Sequence, residues 1–413
     1  MNGIKVPVLR ASYMRHFSCI GGACEDSCCS GWNVSVDRNT YKKYKKLPKS
    51  ELASLIDENI KRVRDNSTDQ NYARIEMDPE DRCPLLSTEN LCTIQIKLGE
   101  KYLSNICATF PRISNMVNGV LEKSGTVSCP ELARLALLEP DGIEFDEIEE
   151  DSGFRVLVKN QLDTDSPDNA NRPEQYFWQI RIFTIQVLQD RRAPLNERLI
   201  ILGLFFRKVQ ELIDDNRSNE IPQLVEDYIK SNPTRMMGEG LTGISGANKV
   251  QMLLLTSLLD TRLKTGSLTK RYLQCFEEFL YGIHYSPETK AEEIVQYYEE
   301  AYIQFYQPFM NKHDYILENY LVNYVFKNLF PFNSANSVFD EYVMMVLHYS
   351  IIKLLLIGLS GHHKGLNTEL ALKLIQSFSK TFEHDTTYLQ SILKALNEKG
   401  YTSMAYMVIF LKN

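Results

Sequence analysis

The chain has 413 residues, 44% of them hydrophobic and 24% charged, with a formal net charge of -7. That length has room for two domains and a large buried core. The acidic balance argues against a general nucleic-acid binder, and no stretch reaches the ~20 consecutive apolar residues of a membrane span.

Met1 to Arg10 lacks the apolar core of a secretory signal, so the expected location is the cytoplasm, where thiols stay reduced. A peripheral membrane contact is left open. Residues 1 to about 18 read as an extended lead-in. Cys19, Cys24, Cys28 and Cys29 then crowd a loop carrying Gly21, Gly22 and Gly31, so four of the nine cysteines fall together. Thiolates are soft ligands suited to zinc or an iron–sulfur cluster. Buried free cysteines and a disulfide framework are the plainer alternatives. An odd cysteine count in a large chain without a secretory signal favours metal over disulfides.

Trp32 to Val36 alternates as a short strand does, and Asp37 with Thr40 is placed to cap a helix through Tyr41 and Tyr44. The lysines from Lys42 to Lys49 read as a solvated face, or as a dock for an acidic partner. Residues 51 to 76 look helical, then loop-like. Cys83-Pro84 and Cys92 flank the turn formers Ser87 to Asn90, which suggests a small hairpin. Cys107 and Cys129-Pro130 complete the early set. Cys275 sits in an apolar helical pattern and reads as core.

Residues 139–172 are rich in acids and turn formers and read as a linker or exposed loop, with one strand near Phe154 to Val158. From Pro173 onward apolar residues recur at helical spacing, including runs at 247 to 264, 314 to 330, 337 to 359 and 367 to 381. Val343 to Leu359, the most apolar, carries His348 and Lys353 and reads as a buried core helix. Gly238-Glu239-Gly240-Leu241-Thr242-Gly243 has the dinucleotide-binding glycine pattern but helical runs on both sides, so it reads as a loop. Asn319 and Asn323 lie one helical turn apart, and such amides need partners if buried. The expected fold class is mainly α, with a cysteine-rich cluster-binding region of little β (1–138), an acidic linker (139–172) and a helical domain (173–413).

Several blocks together resemble the bacterial flagellin lysine N-methylase family. They are Cys19-x4-Cys24-x3-Cys28-Cys29-x-Gly31-Trp32, Cys83-Pro84-Leu85-Leu86 to Cys92, Cys107-x2-Phe110-Pro111-Arg112, Arg191 to Leu199, and Glu318-Asn319-Tyr320 to Phe330-Pro331-Phe332. The resemblance implies methyl transfer from S-adenosylmethionine to flagellin lysines, and a cysteine-bound 4Fe-4S cluster. The ligands are expected among Cys19, Cys24, Cys28, Cys29, Cys83, Cys92 and Cys107, with zinc as the alternative metal. Tyr320, Tyr324 and Glu318 are candidates for holding the sulfonium donor, because aromatic faces and carboxylates favour a cation. No catalytic residue is singled out, and the oligomeric state is left open. Two rival readings stand beside the enzyme: a zinc-stapled helical adaptor for flagellin or another client, and an iron–sulfur electron carrier.

Overall fold

The computed structural model describes residues 5–151, 155–231, 248–252, 254–256, 268–333, 335–383 and 386–413. The glycine run Gly238 to Gly243 lies outside them, as do Phe154 and much of the helical run expected at 247 to 264.

Strand β1 (Lys5–Ala11) opens the fold. Strands β2 (Ser35–Val36), β3 (Ile60–Arg62) and β4 (Ala73–Ile75) make a small antiparallel sheet in the order β2-β4-β3. Strands β5 (Arg112–Val117), β6 (Val120–Gly125), β7 (Phe145–Asp151) and β8 (Val158–Leu162) join β1 in a mixed five-stranded sheet ordered β7-β1-β6-β5-β8. The β5–β6 hairpin turns on Asn118-Gly119, both at positive φ, the dipeptide preferred in two-residue hairpin loops.

The N-terminal helices are short: α1 (Arg38–Tyr44), α2 (Glu51–Asn59), α3 (Thr93–Leu98), α4 (Asn105–Thr109) and α5 (Pro130–Leu137). Asp37 caps α1 as expected, accepting from Thr40 N at 3.0 Å, and its second oxygen accepts from Asn105 N at the start of α4. The helical body holds α6 (Phe177–Gln189), α7 (Leu195–Asp214), α8 (Ile221–Ser231), α9 (Lys270–Gly282), α10 (Ala291–Ala301), α11 (Gln307–His313), α12 (Tyr315–Lys327), α13 (Val338–His363), α14 (Thr368–Phe382), α15 (Thr386–Glu398) and α16 (Met404–Leu411). Helix α13 is long and apolar enough by composition to cross a membrane, but its apolar stretch is wholly buried among the other helices. Gly358 and Gly282 let α13 and α9 touch through backbone, since a Cβ at Gly282 would overlap the Gly358 carbonyl.

The fold is mainly helical, as expected, but the N-terminal part carries more sheet than its sequence suggests. Residues 139–172 are not a free linker, because they supply β7 and β8. Strand β7 carries five acids and only two apolar residues, Phe145 and Ile148, and some of its acids find cations on neighbouring segments. Asp146 pairs with Arg10 and Arg15, and Glu150 with Lys123. The expected hairpin between Cys83 and Cys92 reduces to a single bridge, Leu86 with Cys92. Two cores result. Val34, Ile56, Ile60, Leu85, Ile94 and Leu103 belong to a small one. Ala11, Tyr13, Val127 and α5 join the large core of the helical body, so the sheet and the helices are packed as one unit.

Two amides of helix α12 fasten it to the N-terminal part, Asn319 to the segment after α5 and Asn323 to the end of β6. Asn319 Nδ2 donates to Glu139 O at 2.8 Å, and Asn323 Nδ2 donates to Gly125 O at 3.1 Å. The Tyr13 hydroxyl donates to Asn323 Oδ1 and accepts from Gly125 N. Beside them Arg181 makes a two-pronged ion pair with Glu122, both buried.

Candidate functional site

Cys19, Cys28, Cys29, Cys83, Cys92 and Cys107 line one cavity of about 510 Å³. They come from segments far apart in sequence, and backbone contacts join the first two of these. Cys83 N donates to Cys29 O at 2.7 Å and Gly31 N to Asp81 O at 3.0 Å, while Ser30 bridges Arg82. A Cβ at Gly22 would fall 2.8 Å from Glu89 O, so glycine lets the first loop close on the second. Trp32 Nε1 donates to Cys28 O at 2.6 Å, and its ring lies 5.8 Å from that of Phe110. Ser104 caps α4 at Cys107 N. Cys24 does not line this cavity; its thiol donates to Asp26 O at 3.4 Å. Cys275 is buried elsewhere, against Ser377.

The thiols lie in surroundings that favour the protonated form. Burial, with smaller contributions from neighbouring thiols, pushes Cys107 up to about 11 and Cys83 up to about 12. Cys28 is raised first by its hydrogen bond with Cys29 and then by burial. Several thiolates together therefore call for a cation between them, and a soft metal centre is that kind of partner. The donor chemistry fits such a centre. Among the described residues, however, no group of three or more His, Cys, Asp or Glu side chains is already spaced to hold one ion.

From the other side, α14 grips the cysteine loop. Lys380 Nζ donates to Asp26 Oδ1 at 2.6 Å and to Ser27 O at 3.0 Å, and Gln376 Nε2 reaches Asp26 Oδ2 at 2.7 Å. The residue that follows α14 is Glu383, in a second cavity.

This second cavity, about 390 Å³, is lined by Lys159, Tyr324, Lys327, Glu341, His348 and Glu383 among others. It lies across the sheet from the thiols. Arg112, Ser114 and Lys123 face the thiol cavity, whereas Ile113 and Thr126 face the second, as the alternation of a strand requires. Lys327 pairs with Glu383, and Ser379 Oγ donates to Glu383 Oε1 at 2.8 Å. Tyr320 Oη contacts both Glu383 Oε1 and His348 Nδ1, each at 2.9 Å. Burial opposes the charge of Glu383, but the Lys327 ammonium, together with smaller contributions from His348 and the Ser379 hydroxyl, holds the carboxyl down to about 2. Burial lowers His348 to about 4, so its ring is neutral at pH 7. Burial, helped by Lys327, lowers Lys159 to about 8, although the residue as a whole is exposed.

Of the three residues expected to hold a donor, only Tyr324 lines this cavity. Tyr320 stands behind His348. Glu318 is enclosed in an ion cluster, accepting from Arg191 Nη2 at 2.8 Å and Arg198 Nη1 at 2.7 Å. With Arg198 wholly buried beside it, this carboxylate neutralises guanidinium charge rather than facing a ligand. Sequence reasoning passed over Lys159, Lys327 and Glu383, and read His348 only as part of a core helix. The signal available for His348 was a lone imidazole in the most apolar run of the chain.

A family model described as the FliB lysine N-methylase C-terminal domain matches residues 181–410. The chain belongs to this family. The FliB match takes in Tyr320, Tyr324, Lys327, His348 and Glu383, while the thiol-lined cavity is built from residues that precede it. Among curated proteins the chain is similar to the lysine-N-methylase of Salmonella choleraesuis strain SC-B67, 24% identical over 92% of this chain and 93% of that protein. The lysine-N-methylase of Salmonella typhimurium strain LT2 is 23% identical over the same shares. The flagellar biosynthetic protein FliU of Salmonella muenchen is 30% identical over 37% of this chain and 90% of its own length. No solved structure matches.

Proposed function

We propose that this FliB-family protein N-methylates lysine side chains of flagellin, with S-adenosylmethionine as donor and a 4Fe-4S cluster held by cysteines of the thiol cavity. Family membership carries the lysine chemistry, and the names of the relatives, two lysine-N-methylases and a flagellar biosynthetic protein, support the substrate. The observation that carries the cluster is the convergence of six thiols, from three separate segments, on one cavity. Cys29, Cys83, Cys92 and Cys107 are the ligands best enclosed; Cys19 and Cys28 are exposed, and Cys24 does not line the cavity. A bound cluster would supply electrons or cross-link the loops.

A lysine amine with an ordinary pKa of ~10.4 is protonated at neutral pH and must lose that proton before it attacks a methyl sulfonium. The second cavity, with its neutral imidazole and paired charges, is suited to that task, and Tyr324 offers the sulfonium an aromatic face. The expected division of labour follows: the cysteine region holds the centre and the helical region hosts the transfer, in the cytoplasm before flagellin is exported. The test is an anaerobic assay with purified protein, flagellin and methyl-labelled S-adenosylmethionine, using iron-loaded, zinc-loaded and metal-free samples. Methylated lysine in the iron-loaded sample supports the proposal. A zinc-loaded protein that binds flagellin without methylating it is the adaptor, and an iron-loaded one that only passes electrons is the carrier.

A further inference from the structure

The hydrogen count around His348 decides its tautomer. Glu383 is an ionised carboxylate that accepts from Tyr320 Oη at 2.9 Å. A phenol has one proton, so at its 2.9 Å contact with His348 Nδ1 the same oxygen accepts. Nδ1 therefore carries the ring hydrogen and Nε2 carries a lone pair. His348 is 2% exposed, and Nε2 is buried with no hydrogen-bond partner. The ring is also fixed in place, edge-on to Tyr324 and Phe378 at 5.2 and 5.5 Å. A held, unpartnered acceptor in the lining of a charged cavity is a group whose partner arrives with a ligand.

We propose that the second cavity receives the amine end of the acceptor lysine and that His348 Nε2 takes its proton. This inference rests on the lysine-methylating function proposed above. Lys159, at the same cavity, is lowered to about 8 by burial and the charge of Lys327, so an ammonium there gives up its proton more readily than in water. An incoming lysine meets the same surroundings. One N–H bond of the ammonium breaks, and its hydrogen moves to Nε2. The freed lone pair forms a C–N bond with the methyl of the sulfonium donor as the C–S bond breaks. A neutral thioether and a methylated ammonium leave, and the imidazolium returns its proton to solvent. Tyr320 and Glu383 are positioning residues: they hold the tautomer and set a negative charge behind the imidazolium.

The test pairs nitrogen NMR of the histidine rings with activity. The wild-type protein is titrated with n-butylamine, a stand-in for the lysine side chain. We expect His348 to show the Nδ1–H tautomer and its Nε2 resonance to move on saturation while the other histidines stay put. His348→Asn keeps a donor near the Nδ1 position but lacks Nε2, and should lose about 10²–10⁴-fold in kcat/KM for flagellin methylation, the usual range for a general base. Tyr320→Phe should mix the two tautomers in the same spectra, which a merely structural tyrosine would not do. An Nε2 resonance unmoved by butylamine, or wild-type turnover by His348→Asn, overturns the proposal. If butylamine moves Nε2 but the wild-type protein leaves flagellin lysines unmethylated, the amine site stands and the proposed substrate or reaction falls.

Discussion

Glu318 provides the sharpest test of the packing argument, because its sequence context suggests a donor-binding carboxylate and its surroundings indicate a buried counter-charge. In Glu318→Gln the shape is kept and one charge is removed. Arg198 then keeps Asp314 as its nearest carboxylate, at 3.6 Å and half exposed, while its Nε and Nη2 already lack hydrogen-bond partners. A unit-charge contact near 3 Å is worth roughly 5 kcal/mol at an effective dielectric of about 20. Arg191 is 40% exposed and can turn to water, so the loss concentrates on Arg198. Breaking a buried pair from one side costs ~3–5 kcal/mol, and we expect a destabilisation in that range from urea unfolding midpoints. Adding Arg198→Met should recover much of it, since no unpaired charge then remains. A cost below about 1 kcal/mol, or lost S-adenosylmethionine binding at unchanged stability, would refute this reasoning and return Glu318 to a ligand role.

Three further outcomes are expected. Lys380→Met removes the tie between α14 and the cysteine loop; local opening eased by ~2 kcal/mol should raise alkylation of Cys28 and Cys29 roughly 30-fold, read by mass spectrometry. Glu383, held at about 2 against an ordinary 4.5, contributes about 3 kcal/mol that is fully present above pH 4.5 and lost as pH falls toward 2. The stability gap between wild type and Glu383→Gln should therefore narrow from pH 5 to pH 3 in urea titrations. Cys107→Ser should lower bound iron and methylation together, whereas Cys275→Ser, buried away from the thiol cavity, should leave iron content unchanged.

The helical body was legible because long amphipathic runs carry a strong periodic signal. So were the Asp37 cap and the need of Asn319 and Asn323 for partners, since each is a local rule. The cysteines were legible as a set by their density alone. In residues 139–172 one strand was expected near Phe154 to Val158, and β8 starts at Val158; β7 was not legible, because its apolar residues are few and its acids resemble a loop until Arg10, Arg15 and Lys123 are seen across the sheet. The second cavity was hidden for a different reason. Lys159, Lys327, His348 and Glu383 lie on four separate elements, and only packing makes one site of them.

The account depends most on thiols of the first cavity converging on one inorganic centre. X-ray absorption at the iron edge, on protein isolated anaerobically, measures this directly. A first shell of sulfur with iron neighbours beyond it is the predicted result, lost in Cys107→Ser. Iron bound only through oxygen and nitrogen, or an iron-free protein that methylates lysine at full rate, would contradict it.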